Sequence, residues 1–384
     1  MIEITYDKRD GSLYSEDQST IDVLRRTFFG EYRNKRLYLE IEEALYVMDV
    51  RNAICKSTDG DIISFNKLAV DFSSDKKLMA RYFTFKDWRD RGLVLKRPGS
   101  ISGKGKNLIK KYPAADPEFG DLKFDGVFFA EDLTTIVEDN KFGKSIYDMF
   151  WFGQYGTYKV SDRGNLNKLD IYETVFLAEK EYLEILNLKR KEVFAIAKNR
   201  REDFPKLYDV YKDWREKGYV IKTGFKFGAH FRIYFPGAKP IKDENWTHSK
   251  HVLHVFPRDQ KLLTSEWSRA IRVAHSVRKT FILAIPGKSR SKNLPIDFVL
   301  YHRRGGNMES PDNGDPTYAM LSLTENSYIG GAELSSIINE AKERRLELII
   351  AISDRETSVT YYKVRKIGLP GSEYEYYEID WMQP

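Results

Sequence analysis

Apolar residues recur at helical spacing in two stretches of this 384-residue chain that resemble each other. In LYLEIEEALYVM (37–48) and LDIYETVFLAEKEYL (169–183) they fall at i, i+3 and i+4, which predicts helices with one buried face. Downstream, YFTFKDWRDRGLVLKRPG (82–99) and YDVYKDWREKGYVIKTG (208–224) each pass from a helical pattern into an extended tail rich in Val, Leu and Ile, which predicts a strand. A stop precedes each copy, FFG ending at Gly30 and WFG ending at Gly153; Trp88 matches Trp214 and Gly92 matches Gly218. The front of the chain therefore reads as two copies of one N-type unit.

A second pair aligns without gaps at an offset of 67. Phe231 meets Phe298, Tyr234 meets Tyr301, Glu266 meets Glu333, Ile271 meets Ile338, Arg278 meets Arg345 and Ala284 meets Ala351. The copies part where chemistry would sit, since His248 becomes Asp315 and Lys279 becomes Leu346. The order is N-type, N-type, C-type, C-type. Ser100–Gly120 and GKSRSKNLP (287–295), rich in Gly, Lys, Ser and Pro, read as linkers. The expected division is a half unit at 1–98, a linker at 99–120, an N half at 121–223, a C half at 224–287, a linker at 288–294 and a second C-type half at 295–384. The simplest assembly makes 121–287 one complete unit and lets the outer pieces meet in space.

Composition narrows the class. A content of 41% hydrophobic residues supplies packed cores, and the length calls for two or three domains. The single cysteine, Cys55, excludes an internal disulfide and fits a reducing cytoplasm. No apolar run reaches transmembrane length, so no membrane partner is expected. A net charge of +6 permits a nucleic-acid partner without demanding one.

Candidate chemistry concentrates between Gly224 and Lys279. FRIY predicts a strand ending at Tyr234, HVLHV a strand starting near His251, and 264–279 a helix with Ser265 as cap and Arg272 and Lys279 on one face. Tyr234, His248 and Lys279 are a base, an acid and a cation, the groups needed to make RNA attack its own phosphate. Each also has an ordinary reading: a packed tyrosine, a surface histidine, a solvated basic stripe. His248, His251 and His254 form an HxxHxxH string, but strand periodicity sends His251 to the opposite face and no Cys or carboxylate ligand is near, so no metal and no cofactor are expected.

This block resembles the catalytic domain of archaeal tRNA-splicing endonucleases, and the likeness extends over nearly the whole chain, in the form where a complete catalytic unit lies between two partial ones. The resemblance implies a mixed α/β (α+β) fold of two-part units, with helical/β N halves and nuclease-like mixed-sheet C halves. It implies that Tyr234 takes the ribose 2′-OH proton, His248 protonates the leaving 5′-oxygen and Lys279 stabilises the phosphorane. Cleavage would then leave a 2′,3′-cyclic phosphate and a 5′-hydroxyl, on precursor tRNA and not on DNA, by a homodimer. Arg272 matches the family arginine that stacks on an extruded base, and Arg365 is a candidate for the second. Asp354 and Glu356 in SDRETSVTYYKV match the acidic loop that docks on a neighbouring unit, or form an ordinary charged hairpin turn. The second N-type copy is about seven residues longer at QYGTYKVSDRGNLNK (154–168), so Lys159, Arg163 and Lys168 either reach RNA or sit on a variable surface loop. Two rivals stand beside this reading: a metal-dependent nuclease built on Asp125, Asp139 and Lys141, and a non-catalytic RNA-binding or assembly protein.

Overall fold

A computed structural model describes the chain apart from residues 106–107, 121, 139, 158–162, 241–247, 257, 288–293 and 305, and the side chains of Asn140 and Arg304. It is a mixed α/β molecule. Among the described residues no helix is long and apolar enough to cross a membrane.

Each N-type stretch forms a small sheet of the same design. In the first, Glu3–Asp7 pairs antiparallel with Ser12–Ser15 and parallel with Ile54–Ser57. In the second, Phe124–Phe129 pairs antiparallel with Thr134–Val137 and parallel with Leu183–Ile185. The rest of the molecule is organised by one eleven-stranded sheet. Val220–Thr223, Phe231–Tyr234, His251–Val255 and Thr280–Ile285 lie side by side as antiparallel, antiparallel and parallel pairs. Leu95–Lys96, Phe298–Leu300, Tyr318–Thr324 and Glu347–Ser353 repeat that sequence of pairings. The offset of 67 carries into the register: Phe231 faces Leu253 and Leu253 faces Ile282, while Phe298 faces Met320 and Met320 faces Ile349. Val359–Gly368 and Glu375–Met382 lie between the two sets and join them.

The cores follow the same division. Residues 4–95 share one apolar core with Phe298, Leu300, Met320, Ile349 and Tyr361, so the two ends of the chain pack together. A second core joins residues 112–284 with Ile367, Leu369 and Tyr376. The third lies under the helices Thr264–Ser276 and Gly331–Glu343, on one face of the large sheet. Within Ser100–Gly120, read from composition as a linker, Gly103, Gly105 and Ile109–Tyr112 lie against the protein. Ile109–Lys111 pairs parallel with Val359–Gly368, and Tyr112 is buried against Trp214, because this basic, glycine-rich stretch also carries apolar residues to anchor it.

A buried polar latch ties each N-type sheet to the large sheet. Glu173 accepts the backbone N–H of Gly153 at 2.9 Å, and Lys222 donates to Glu173 at 2.6 Å and to the Gly153 carbonyl at 2.8 Å. Glu43, Gly30 and Lys96 make the same three contacts at 3.0–3.1 Å. Both glycines have φ near +70°, and a β-carbon on Gly153 would sit 1.9 Å from Asn167 Oδ1, so no other residue fits there. Burial depresses the Lys222 ammonium, and the Glu173 carboxylate opposes that shift. Removing one partner of such a pair strands a buried charge. E173A is therefore expected to cost about 3–5 kcal/mol in guanidinium unfolding followed by circular dichroism, and E173L/K222M, which removes both charges, should cost less. A loss under about 1 kcal/mol for E173A would show that the latch carries little of the fold's stability.

Candidate active site

Three adjacent strands of the large sheet present the residues of interest at one edge. Ile233 faces His251 and His251 faces Thr280, so one residue further Tyr234, Lys250 and Lys279 stand level across the three strands. The hydrogen bond from Thr280 N–H to the Lys250 carbonyl, 2.9 Å, holds that level. Two strand spacings separate the outer members, roughly 10 Å between backbones.

Tyr234 ends its strand because Pro236 removes a ladder donor and Gly237 turns the chain with φ +87°. The tyrosine is buried, with its ring 4.6 Å from Trp151 and the Arg232 guanidinium 5.9 Å away. Trp151 follows the helix Asn140–Phe150 in a left-handed conformation, φ +53°, so the N-type sheet supplies one wall of the tyrosine's site. His248 is exposed, three residues before its strand. Lys279 donates to the carbonyl and, at 2.8 Å, to the hydroxyl of Ser249, the residue after His248, and its ammonium lies 4.8 Å over the Phe227 ring. Burial lowers the Lys279 pKa, with the charge of Arg232 adding to the shift. Tyr234 and His248 share the wall of a cavity of about 450 Å³. A second cavity, of about 370 Å³, is lined by Tyr234 together with Trp151 and Lys168.

The comparisons with known proteins bear on this edge of the sheet. Residues 204–294 match the family model described as tRNA intron endonuclease, catalytic C-terminal domain. The chain is 41% identical over 133 residues to the tRNA-splicing endonuclease of Methanopyrus kandleri, covering 33% of this chain and 71% of that protein. It is 34% identical over 146 residues to that of Pyrococcus abyssi, 37% and 79% of the two chains. With the tRNA-splicing endonuclease of Methanococcoides burtonii it shares 27% over 335 residues, 70% of this chain and 92% of the relative. The chain belongs to the tRNA-splicing endonuclease family. It is an enzyme of the endonuclease class.

Within this family member the other sequence-predicted residues are placed as follows. The helix carrying Arg272 runs Thr264–Ser276, and Ser265 does not cap it. Leu263 occupies the cap position, and the first N–H groups donate to the Ser327 and Glu325 carbonyls instead. Lys279 lies past the helix end, beyond Arg278 at φ +56°, so Arg272 and Lys279 do not share a helical face. Arg272 is exposed and its charge acts on Tyr362. Arg365 is bound to Glu347 at 3.1 Å and is not on the wall shared by Tyr234 and His248. Asp354 and Glu356 are exposed in the turn after Glu347–Ser353, where Asp354 accepts the N–H groups of Glu356 and Ser358, each at 2.9 Å. Arg163 and Lys168 are exposed, Lys168 on the strand Asn167–Leu169; Lys159 lies outside the described residues. Asp125 is on the strand Phe124–Phe129 and Lys141 on the following helix, while Asp139 lies outside the described residues.

Trp151, Arg232, Ser249 and Lys250 were not singled out by sequence reasoning. Trp151 carried a signal, for it replaces Phe28 at the same left-handed position of the other copy.

The histidines of the string diverge. His251 packs on Phe235 and Tyr112, while His254 stacks on His230 with ring centres 4.2 Å apart. His230 Nδ1 accepts the Val255 N–H at 2.9 Å, which requires an unprotonated nitrogen. Burial pulls His251 and His254 down to about 4 and His230 to about 2. The unfolded chain therefore binds more protons below its ordinary histidine pKa of 6.5. Stability is complete above pH 6.5 and is lost as pH falls from 6.5 toward 4. Acidification from pH 7.5 to 5 should lower unfolding stability by on the order of 2 kcal/mol through His254 alone, and H254F should remove that share of the pH dependence measured by denaturant melts, leaving the part due to His251 and His230. An H254F profile that parallels the wild type would contradict a buried neutral imidazole there.

Proposed function

We propose that this enzyme removes introns from precursor tRNA by metal-independent transesterification at bulge–helix–bulge-like sites. The observation that carries the reading is the shared level of Tyr234 and Lys279 across three strands, with His248 on the same cavity as Tyr234. The second C-type copy supports it by contrast, since its matching positions hold Asp315 and Leu346.

In this mechanism Tyr234 accepts the 2′-OH proton while the 2′-oxygen bonds to the adjacent phosphorus. The bond from phosphorus to the 5′-oxygen breaks, and His248 donates the proton that the leaving alkoxide needs. The Lys279 ammonium balances the extra negative charge of the pentacoordinate phosphate. A phenol near pKa 10 is a weak base at neutral pH, so this step calls for a cation beside the ring, where the Arg232 guanidinium lies 5.9 Å away. The products are a 2′,3′-cyclic phosphate and a 5′-hydroxyl, and DNA lacks the nucleophile.

Two cuts need two armed centres, and one chain carries one, which supports a homodimer. In that dimer residues 121–287 form the catalytic unit. The outer pieces, 1–98 and 295–384, form a structural unit whose exposed Asp354 and Glu356 dock on the partner. Arg272 and a second arginine, for which Arg365 is the candidate, hold an extruded base. Arg163 and Lys168, both exposed, contact RNA, as does Lys159, which lies outside the described residues. The free, buried Cys55 suits a cytoplasmic setting.

Incubation with intron-bearing precursor tRNA in EDTA should release the intron with cyclic phosphate and 5′-hydroxyl ends. H248A should slow single-turnover cleavage by about 10²–10⁴-fold while RNA binding is kept. Cleavage that stops in EDTA, or H248A acting at the wild-type rate, would refute the mechanism.

A further inference from the structure

The stretch Ser100–Gly120 connects the copy that lacks the triad to the cavity of the armed copy. At the first site its backbone lies against the chain: Gly103 N–H donates to the Arg344 carbonyl at 2.8 Å and Gly105 N–H to the Arg345 carbonyl at 3.0 Å. Lys104 pairs at 2.6 Å with Asp315, which occupies the place of His248 in the repeat. A β-carbon on Gly103 would stand 2.6 Å from Leu346, the residue in the place of Lys279, and one on Gly105 would stand 2.6 Å from the Arg345 carbonyl. Glycine alone permits this approach.

From there the stretch enters the sheet as Ile109–Lys111, with Gly368 level with Lys111, and Tyr112 anchors it in the core. This delivers Lys110 and Lys111 to the wall of the cavity that holds Tyr234, His248 and Lys250. Lys110 is neutralised at 2.7 Å by Glu378, a carboxylate only 2% exposed. Asp380 also feels the charge of Lys110, and His251 on the same wall is held neutral by burial. Lys111 and Lys250 are both exposed and form no ion pair among the described residues. Among the described residues the cavity therefore keeps two cations, Lys111 and Lys250, with no carboxylate paired to them beside the tyrosine and histidine.

We propose that Lys111, carried in by the linker strand, and Lys250 form a phosphate-binding rim that grips the RNA backbone next to the scissile linkage. This rests on reading the Tyr234–His248 cavity as the active site. The ligand class is a backbone phosphodiester, bound by charge and not by base identity. A strand pinned by backbone pairing delivers its lysine at a fixed height, unlike a loose basic tail.

The test uses the full-length protein and a precursor tRNA blocked by 2′-deoxy substitution at the cleavage sites, with affinity read by fluorescence anisotropy over a series of KCl concentrations. K111A is expected to weaken binding on the order of threefold to tenfold and to reduce the slope of log affinity against log salt by about 1. K111R should restore both, and K111A/K250A should lose about 2 from the slope. K67A removes an exposed lysine of the helix Phe65–Asp71 and should leave the slope as in the wild type. A wild-type slope for K111A, or an equal fall for K67A, overturns the proposal. Because this RNA is not cut, a failure of the catalytic reading appears separately, as H248A cleaving unmodified RNA at the wild-type rate.

Discussion

The geometry of the candidate site depends on one buried contact, the clamp of Glu173 and the Gly153 carbonyl on Lys222. Lys222 belongs to the strand next to the tyrosine strand, and in that pairing Val220 faces Tyr234. Gly153 follows two residues after Trp151, whose ring packs on Tyr234. The clamp thus fixes the N-type sheet relative to the strand that carries Tyr234 and sets the tryptophan at its distance. A charged pair in so dry a place gains little net stability over an apolar one, but its angular demands define a single docking. Arg215 reinforces it, with its guanidinium 3.9 Å over the Phe152 ring.

The same clamp occurs twice, around Gly30 and around Gly153, while the positions matching Tyr234, His248 and Lys279 hold Tyr301, Asp315 and Leu346. In the second C-type copy the position of Lys279 is Leu346, buried in the core beneath the helix Gly331–Glu343. There an apolar side chain packs where the first copy has an ammonium, and the strand pairing around the two positions is the same. Tyr301 persists, buried, with its pKa raised by burial and by the charge of Asp315, the reverse of what a base requires.

Much of this was readable before any coordinates. The offset of 67 survives as a register because strand pairing tolerates no slip without turning every side chain to the other face. FRIY and HVLHV read as strands through their alternation and β-branched content, and both form. What escaped depends on distant partners. The start of the helix Thr264–Ser276 takes its acceptors from carbonyls some sixty residues away, so the local Ser265 was a misleading cap. Lys279 leaves the helix at Arg278, a left-handed residue that is not glycine and so sends no compositional signal. Only its recurrence at Arg345, φ +57°, marks it. The strand Ile109–Lys111 finds its partner more than two hundred residues further on, beyond any periodicity in its own stretch.

Ten of the eleven strands run without a break from Val220–Thr223 to Leu95–Lys96, with Ile109–Lys111 added beside Val359–Gly368, so the two C-type copies share one continuous sheet. Between the strand after Lys279 and the strand after Leu346 there are three inter-strand steps, roughly 14 Å. A hydrogen-bonded ladder of that kind has no hinge and behaves as a ruler. Any large folded ligand that touches both halves must conform to its pitch, and fitting an ill-matched one falls to the ligand's own joints.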